Sequence, residues 1–336
     1  MKQLPKIELH CHLDGSLRVE TVKELGIQYN VELPTDNCDL LKDYLKAPLE
    51  CDSLSTYLNK FDLPISVMQS KQALSRCAYE LVEDYALENT KYLEIRFNPY
   101  AHTKGGLTLK EVIASVIEGT NKGQGDYDLK VNVILSFNRG QKTHDIYKLI
   151  EEGKEFIGKG VVAIDLCGEE RESFVRKYIK PIKVAREVGF KVTIHAGETG
   201  YPKNVIEAIE YLDARRIGHG VAIIHDAPCL EYVTSSNVLL EVCPTSNIQT
   251  KAFASYQDHP VDEFLKRGIN LSIGTDNRTV SNISLSDEYT ILEKTFGWSQ
   301  SEFAKVYNMS IDASFARTKT KEWLREVGKD FYKDNF

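Results

Sequence analysis

No stretch of this chain approaches the ~20 consecutive apolar residues of a membrane span, and the opening Met1-Lys2-Gln3-Leu4-Pro5 lacks an apolar core of signal-peptide length. Lysine and arginine form no block beyond scattered pairs such as Arg215-Arg216, and the formal net charge is −7, so a polyanion such as nucleic acid is not the expected partner. None of the seven cysteines, spread from Cys11 to Cys243, pairs as Cys-x-x-Cys, and their number is odd. That excludes a disulfide framework and a cysteine zinc cage and leaves reduced thiols. Linkers rich in Gly, Pro or Ser, solenoid-period repeats and low-complexity segments are also missing. The absences together predict one cytoplasmic domain over residues 1–336, with no membrane or protein partner implied.

What is present is an ordinary globular balance: 42% hydrophobic and 27% charged residues over 336 positions, enough to bury a sizeable core. Short apolar, β-branched runs recur with amphipathic stretches between them, the pattern of strands alternating with helices around a parallel sheet. Eight runs stand out: Ile7–His12, Tyr92–Phe97, Leu129–Phe137, Val161–Leu166, Lys191–His195, Arg216–Gly218, Asn237–Val242 and Asn270–Ile273. The sixth is too short to be a strand on pattern alone. Eight such units predict an α/β fold of the (β/α)₈, TIM-type barrel class. Capping boxes at Thr108–Glu111 and Ser299–Glu302 mark two helix starts, and Leu285–Phe296, Glu302–Ala313 and Thr320–Val327 read as closing helices. The gap between the first two runs, residues 13 to 91, exceeds what one helix needs, so a helical insertion is expected there, over about residues 16–90. Leu54, Leu58, Phe61 and Leu63 recur in it at near-helical spacing, as core packing does, but its place after the first strand predicts a lid over the barrel mouth.

Chemistry concentrates at the predicted strand ends. In His10-Cys11-His12 strand alternation sends both imidazoles to one face and Cys11 to the other, and Asp14 follows just past the strand. His195-Ala-Gly-Glu198 closes the fifth run, Gly218-His219-Gly220 the sixth, and Thr275-Asp276-Asn277 follows the eighth. Each alone reads equally well as a turn histidine or a helix N-cap. All of them fall at carboxyl ends of parallel strands, where a barrel gathers its catalytic groups. Three histidines and an aspartate form a zinc shell with room for a water, whose pKa zinc lowers towards neutrality; Glu198 and His219 are left to move protons. His102 and His144, in loop-like stretches, and His225 and His259, beside helix starts, are assigned no metal role.

The segments His10-Cys-His-Leu-Asp-Gly15, Asp165-Leu-Cys-Gly168, His195-Ala-Gly-Glu198, Gly218-His-Gly220, Glu241-Val-Cys-Pro244 and Thr275-Asp276 resemble, in order, those of the adenosine deaminase family. The resemblance implies one Zn²⁺ per chain on His10, His12, His195 and Asp276. Glu198 would protonate purine N1, and His219, with Asp276, would orient or deprotonate the attacking water. His12, Asp14, Gly168 and Asn277 would meet the substrate, Gly168 through its N–H to N3 and Asp14 at the ribose 5′-hydroxyl. The implied reaction is hydrolytic deamination of adenosine and 2′-deoxyadenosine at C6, in purine salvage. The Pro-Cys-x-x-Cys signature of nucleic-acid-editing zinc deaminases is missing. One departure stands out: where the family commonly carries a second aspartate reaching N7, this chain has Asn277, then Arg278. An asparagine amide donates at any pH, whereas an aspartate must first be protonated. Arg278 is expected in a surface salt bridge. The alternatives are an adenine or 5′-modified adenosine (aminodeoxyfutalosine-type) deaminase, and a catalytically silent binding module, against which Glu198 and His219 speak.

Overall fold

Eight parallel strands hydrogen-bond in chain order: β1 Lys6–His12, β2 Thr90–Phe97, β3 Lys130–Asn138, β4 Val161–Cys167, β5 Lys191–Ala196, β6 Arg216–His219, β7 Leu239–Val242 and β8 Leu271–Ile273. They are seen in a computed structural model that describes residues 1–48, 51 and 54–335. β8 is too short to close the ring by itself, and closure falls to Asp276, three residues beyond it. The Asp276 N–H donates to the His10 carbonyl at 2.9 Å, and the His12 N–H donates to the Asp276 carbonyl at 2.7 Å. With helices between its strands, this is the (β/α)₈ class that the eight runs predict. β6 forms although its own sequence barely favours it, because Arg216, Ile217 and Gly218 each pair with both β5 and β7. Neighbours supply what local propensity lacks.

Alternation along β1 turns Ile7, Leu9 and Cys11 into the apolar core under the helices and leaves Glu8, His10 and His12 for the barrel interior. That interior is polar, and its charges are paired. Arg96 donates to Glu241 at 2.6 Å, and Arg216 bridges Glu241 at 2.7 Å and Glu94 at 2.5 Å, all four side chains fully buried.

The insertion after β1 consists of α1 Val19–Tyr29, α2 Cys38–Leu45, α3 Leu54–Leu58, α4 Asp62–Val67 and α5 Lys71–Ala86. Leu54, Leu58 and Phe61 line the cavity at the barrel mouth, whereas Leu63 joins the main core. Both capping boxes form, opening helices Leu109–Asp126 and Gln300–Ala313, and helices Leu285–Phe296 and Thr318–Tyr332 complete the C-terminal part. His144 is not in a loop: it lies in the first turn of the helix Thr143–Gly153. Among the described residues no helix is long and apolar enough to cross a membrane.

Candidate active site

The strand ends bring the predicted metal ligands together. His12 Nε2 lies 3.2 Å from His195 Nε2, and Asp276 Oδ1 lies 3.4 Å from both His10 Nε2 and His12 Nε2. His219 joins the same cluster: the ligating atoms of His10, His195, His219 and Asp276 all fall within 4.8 Å of one another. His10 Nε2 is buried without a hydrogen-bond partner, an unfavourable state for a polar atom unless a cation takes its lone pair. The donor set therefore fits a metal ion, and imidazole with carboxylate suits a borderline divalent cation.

Carboxylates behind the rings decide which nitrogen faces the centre. Glu241 accepts from His10 Nδ1 at 2.8 Å and Asp165 from His195 Nδ1 at 2.9 Å, so each ring presents an unprotonated Nε2 to the cluster. Burial would raise both carboxyls, but the partners around them prevail. Arg96 and Arg216 hold Glu241 well below the usual carboxylate range, and His195 and Arg96 hold Asp165 below it. Burial also depresses His12, His195 and His219, keeping those rings neutral, as metal ligation requires. His10 goes the other way despite its burial and the Arg96 charge, because the negative Asp276 and Glu241 carboxylates lie beside its ring.

Two of these residues sit on strained backbone. His219 has φ of 64° and Asp276 φ of 59°, the left-handed region that side chains other than glycine rarely occupy. In Asp276 the strain accompanies the barrel-closing bonds, and Ser246 Oγ donates to its carboxylate at 2.6 Å. Before His219, a Cβ on Gly218 would come within 2.9 Å of the His10 ring and 3.2 Å of His195, so only glycine lets the two ligand rings pack there.

Glu198 stands 3.8 Å from His219 Nε2 and is buried. Desolvation, then the nearby Asp276 and Glu170 charges, push its carboxyl up to about 8, so it carries a proton at neutral pH. Its turn is built on Glu170, which sequence reasoning passed over. The Glu170 carboxylate accepts from the N–H groups of Gly197 at 2.7 Å, Glu198 at 2.9 Å and Thr199 at 3.2 Å, and from Asn204 Nδ2 at 2.9 Å.

A cavity of about 230 Å³ opens over this centre, and His12, Asp14, Gly168, Glu198, His219 and Asn277 all line it. Tyr57 of α3 also lines it and accepts from Asn277 Nδ2 at 2.8 Å, while Asn277 Oδ1 is buried without a partner. Asp14 accepts from His102 Nε2 at 2.8 Å; His102 lies in a buried single turn, Pro99–His102, and not in an open loop. Arg278 departs from expectation. It turns away from the cavity into a largely buried pair with Glu88 at 2.5 Å, with its guanidinium 4.7 Å from the Tyr85 ring centre. Asp165 and Glu241 were legible as sequence, since each is a lone acid at inward parity in an apolar run. Glu170, His102 and Tyr57 carry no such signal.

A family model described as adenosine deaminase matches residues 5–329. A protein of Clostridium perfringens strain 13 named adenosine deaminase is 52% identical over 322 residues, 96% of this chain and 97% of its own length. Among solved structures, an adenine deaminase from Arthrobacter aurescens superposes with TM-score 0.90 at 25% identity, covering 98% of this chain and 99% of its own. An Arabidopsis protein, ADAL, complexed with IMP superposes with TM-score 0.86 at 27% identity over 100% of this chain and 99% of its own.

Proposed function

This chain belongs to the adenosine deaminase family, and on that footing we propose that its cavity takes adenosine or 2′-deoxyadenosine and replaces the 6-amino group with oxygen from water, yielding inosine or 2′-deoxyinosine and ammonia. The family's hydrolases are metal-dependent, and we assign one zinc ion to His10, His12, His195 and Asp276. When bound there, zinc supplies Lewis acidity that brings the pKa of a coordinated water towards neutrality.

The remaining chemistry is the work of the protein's own groups. An exocyclic amine leaves an aromatic ring poorly, so C6 accepts an oxygen only if N1 gains a proton as aromaticity is lost. Glu198, protonated at neutral pH through its burial, gives that proton to N1. Asp276 and His219 hold the attacking water, and one of the two takes its first proton, which passes to N6. As the C6–N6 bond breaks, ammonia leaves, the second water proton returns to Glu198, and N1 keeps its hydrogen. Gly168, with φ of 89°, has a backbone that suits glycine and presents its N–H for purine N3. Asn277 faces N7, where an amide donates without first being protonated.

Asp14 favours a free 5′-hydroxyl. Its carboxylate, held by His102, would repel the phosphate of a nucleotide such as the one in the Arabidopsis complex. We take residues 1–336 as one hydrolase domain, with the insertion at about 16–90 as its lid, acting in the cytoplasm, where seven free thiols stay reduced.

The observation that most supports this reading is the meeting of His10, His12, His195 and Asp276 beside a buried, raised-pKa Glu198. Initial rates by ultraviolet absorbance on adenosine, 2′-deoxyadenosine, adenine and 5′-substituted adenosines, with metal analysis of the purified protein, test it. Adenosine is expected to be turned over fastest, with one zinc per chain and activity lost to a chelator. Equal or better turnover of adenine would overturn the substrate assignment.

A further inference from the structure

His219 belongs by distance to the metal cluster and by the proposed reaction to the proton-moving groups; which it serves depends on where its ring carries hydrogen. A chain of buried contacts behind it answers that, starting from a group that cannot be turned round. The Val261 backbone N–H donates to His259 Nδ1 at 3.2 Å, so that nitrogen bears a lone pair. Burial pushes the His259 imidazole down to about 3 and keeps it neutral, which puts its single hydrogen on Nε2. That N–H meets Asn247 Oδ1 at 3.2 Å. With its oxygen so occupied, Asn247 turns its amide nitrogen to His219 Nδ1 at 3.1 Å. Reversing the amide would set N–H against N–H at His259, a clash that no water relieves, since Asn247 is fully buried. His219 Nδ1 is thus an acceptor, and the hydrogen of the neutral ring lies on Nε2, the nitrogen that faces Glu198.

We infer that Asn247, oriented by His259, is a positioning residue that locks His219 as its Nε2–H tautomer, making His219 a hydrogen-bond donor to the attacking oxygen and neither a metal ligand nor the group that takes the water's proton. The catalytic part of this rests on the proposed deamination; the tautomer does not. An Nε2 that carries hydrogen has no lone pair for a cation. This separates His219 from His10 and His195, whose Nδ1 atoms face carboxylates and whose Nε2 atoms are therefore bare. Three of the four neighbouring imidazoles are thereby sorted by their outer partners, with carboxylates behind two ligands and an amide nitrogen behind the donor. Deprotonation of the water then falls to Asp276.

The test is nitrogen-15 NMR of metal-loaded protein labelled at histidine, with the His219 ring identified by its loss in His219→Gln. Expected is a protonated Nε2 and a bare Nδ1. In Asn247→Asp a carboxylate faces Nδ1, so the tautomer should invert. Turnover should then fall by about 100-fold or more, with KM for adenosine within about threefold and metal content unchanged. His259→Phe, which frees the Asn247 amide to turn, should give mixed tautomers, and His259→Gln, whose amide can still donate, should recover turnover relative to it. A wild-type His219 with hydrogen on Nδ1, or an Asn247→Asp protein whose tautomer is unchanged, would overturn the inference; the wild-type spectrum decides even where a variant fails to fold. A wild-type protein with the expected tautomer but no turnover of adenosine would instead refute the proposed function.

Discussion

Replacing Glu198 with glutamine separates two consequences of burying a carboxyl group. In the folded protein it titrates at about 8 against an ordinary value of 4.5, because desolvation and then the Asp276 and Glu170 charges disfavour its ionised form. The folded state therefore holds this proton more tightly than the unfolded chain does. Wild-type stability should decline as pH rises from 4.5 to 8, while an amide, which never ionises, escapes that loss. Integrated to pH 7, the difference is about 3 kcal/mol in favour of Glu198→Gln, shrinking to under about 1 kcal/mol by pH 5. For a chain of 336 residues that corresponds to a Tm higher by about 4 °C at pH 7. Thermal melts of chelator-stripped protein, wild type against variant at both pH values, read the effect without a cation near the group. The same substitution removes the proton given to N1, and turnover of the metal-loaded enzyme should fall by ~10²–10⁴-fold with metal content unchanged. A variant less stable than wild type at pH 7, or one that keeps more than about a tenth of wild-type turnover, would refute the reasoning that joins burial to acid catalysis.

Glu170→Gln leaves one acceptor oxygen where the carboxylate serves three backbone N–H groups and the Asn204 amide, so it should cost about 2–4 kcal/mol in denaturant melts and lower turnover by loosening the Glu198 turn. Asn277→Asp restores the commoner family residue but must be protonated to donate to N7; kcat/KM for adenosine should then fall as pH rises above about 6, over a range where wild type stays flat. Arg278→Met leaves the buried Glu88 without its counter-charge and with only the Ser286 N–H on its carboxylate, costing about 2–4 kcal/mol of stability. It should leave the adenosine-to-adenine rate ratio unchanged, because the guanidinium lies behind Tyr85 and outside the cavity.

The barrel could be read from the chain because strand and helix periodicities are local properties of sequence, and seven of the eight strands carry their own β-branched runs. The clustering of the candidate ligands could be read for a related reason: His10, His12, His195 and Asp276 each end or follow a strand, and in a parallel barrel every strand end points to the same mouth. Asp165 and Glu241 entered only within segments that resemble the family's, and their place behind His195 and His10 was not read from the chain. Other features belonged to tertiary structure alone. β6 exists through its pairing on both sides. Arg278 reads as surface charge until Glu88 and Tyr85, nearly two hundred residues away along the chain, enclose it. The functions of Glu170 and His259 depend on where a donor and an acceptor come to rest across the fold. Sequence by itself determined that His10, His12, His195, His219 and Asp276 meet at one mouth of the barrel, because strand period and chain direction place them there; which ring nitrogen of His10, His195 and His219 is free was decided only by the partners that folding set behind those rings.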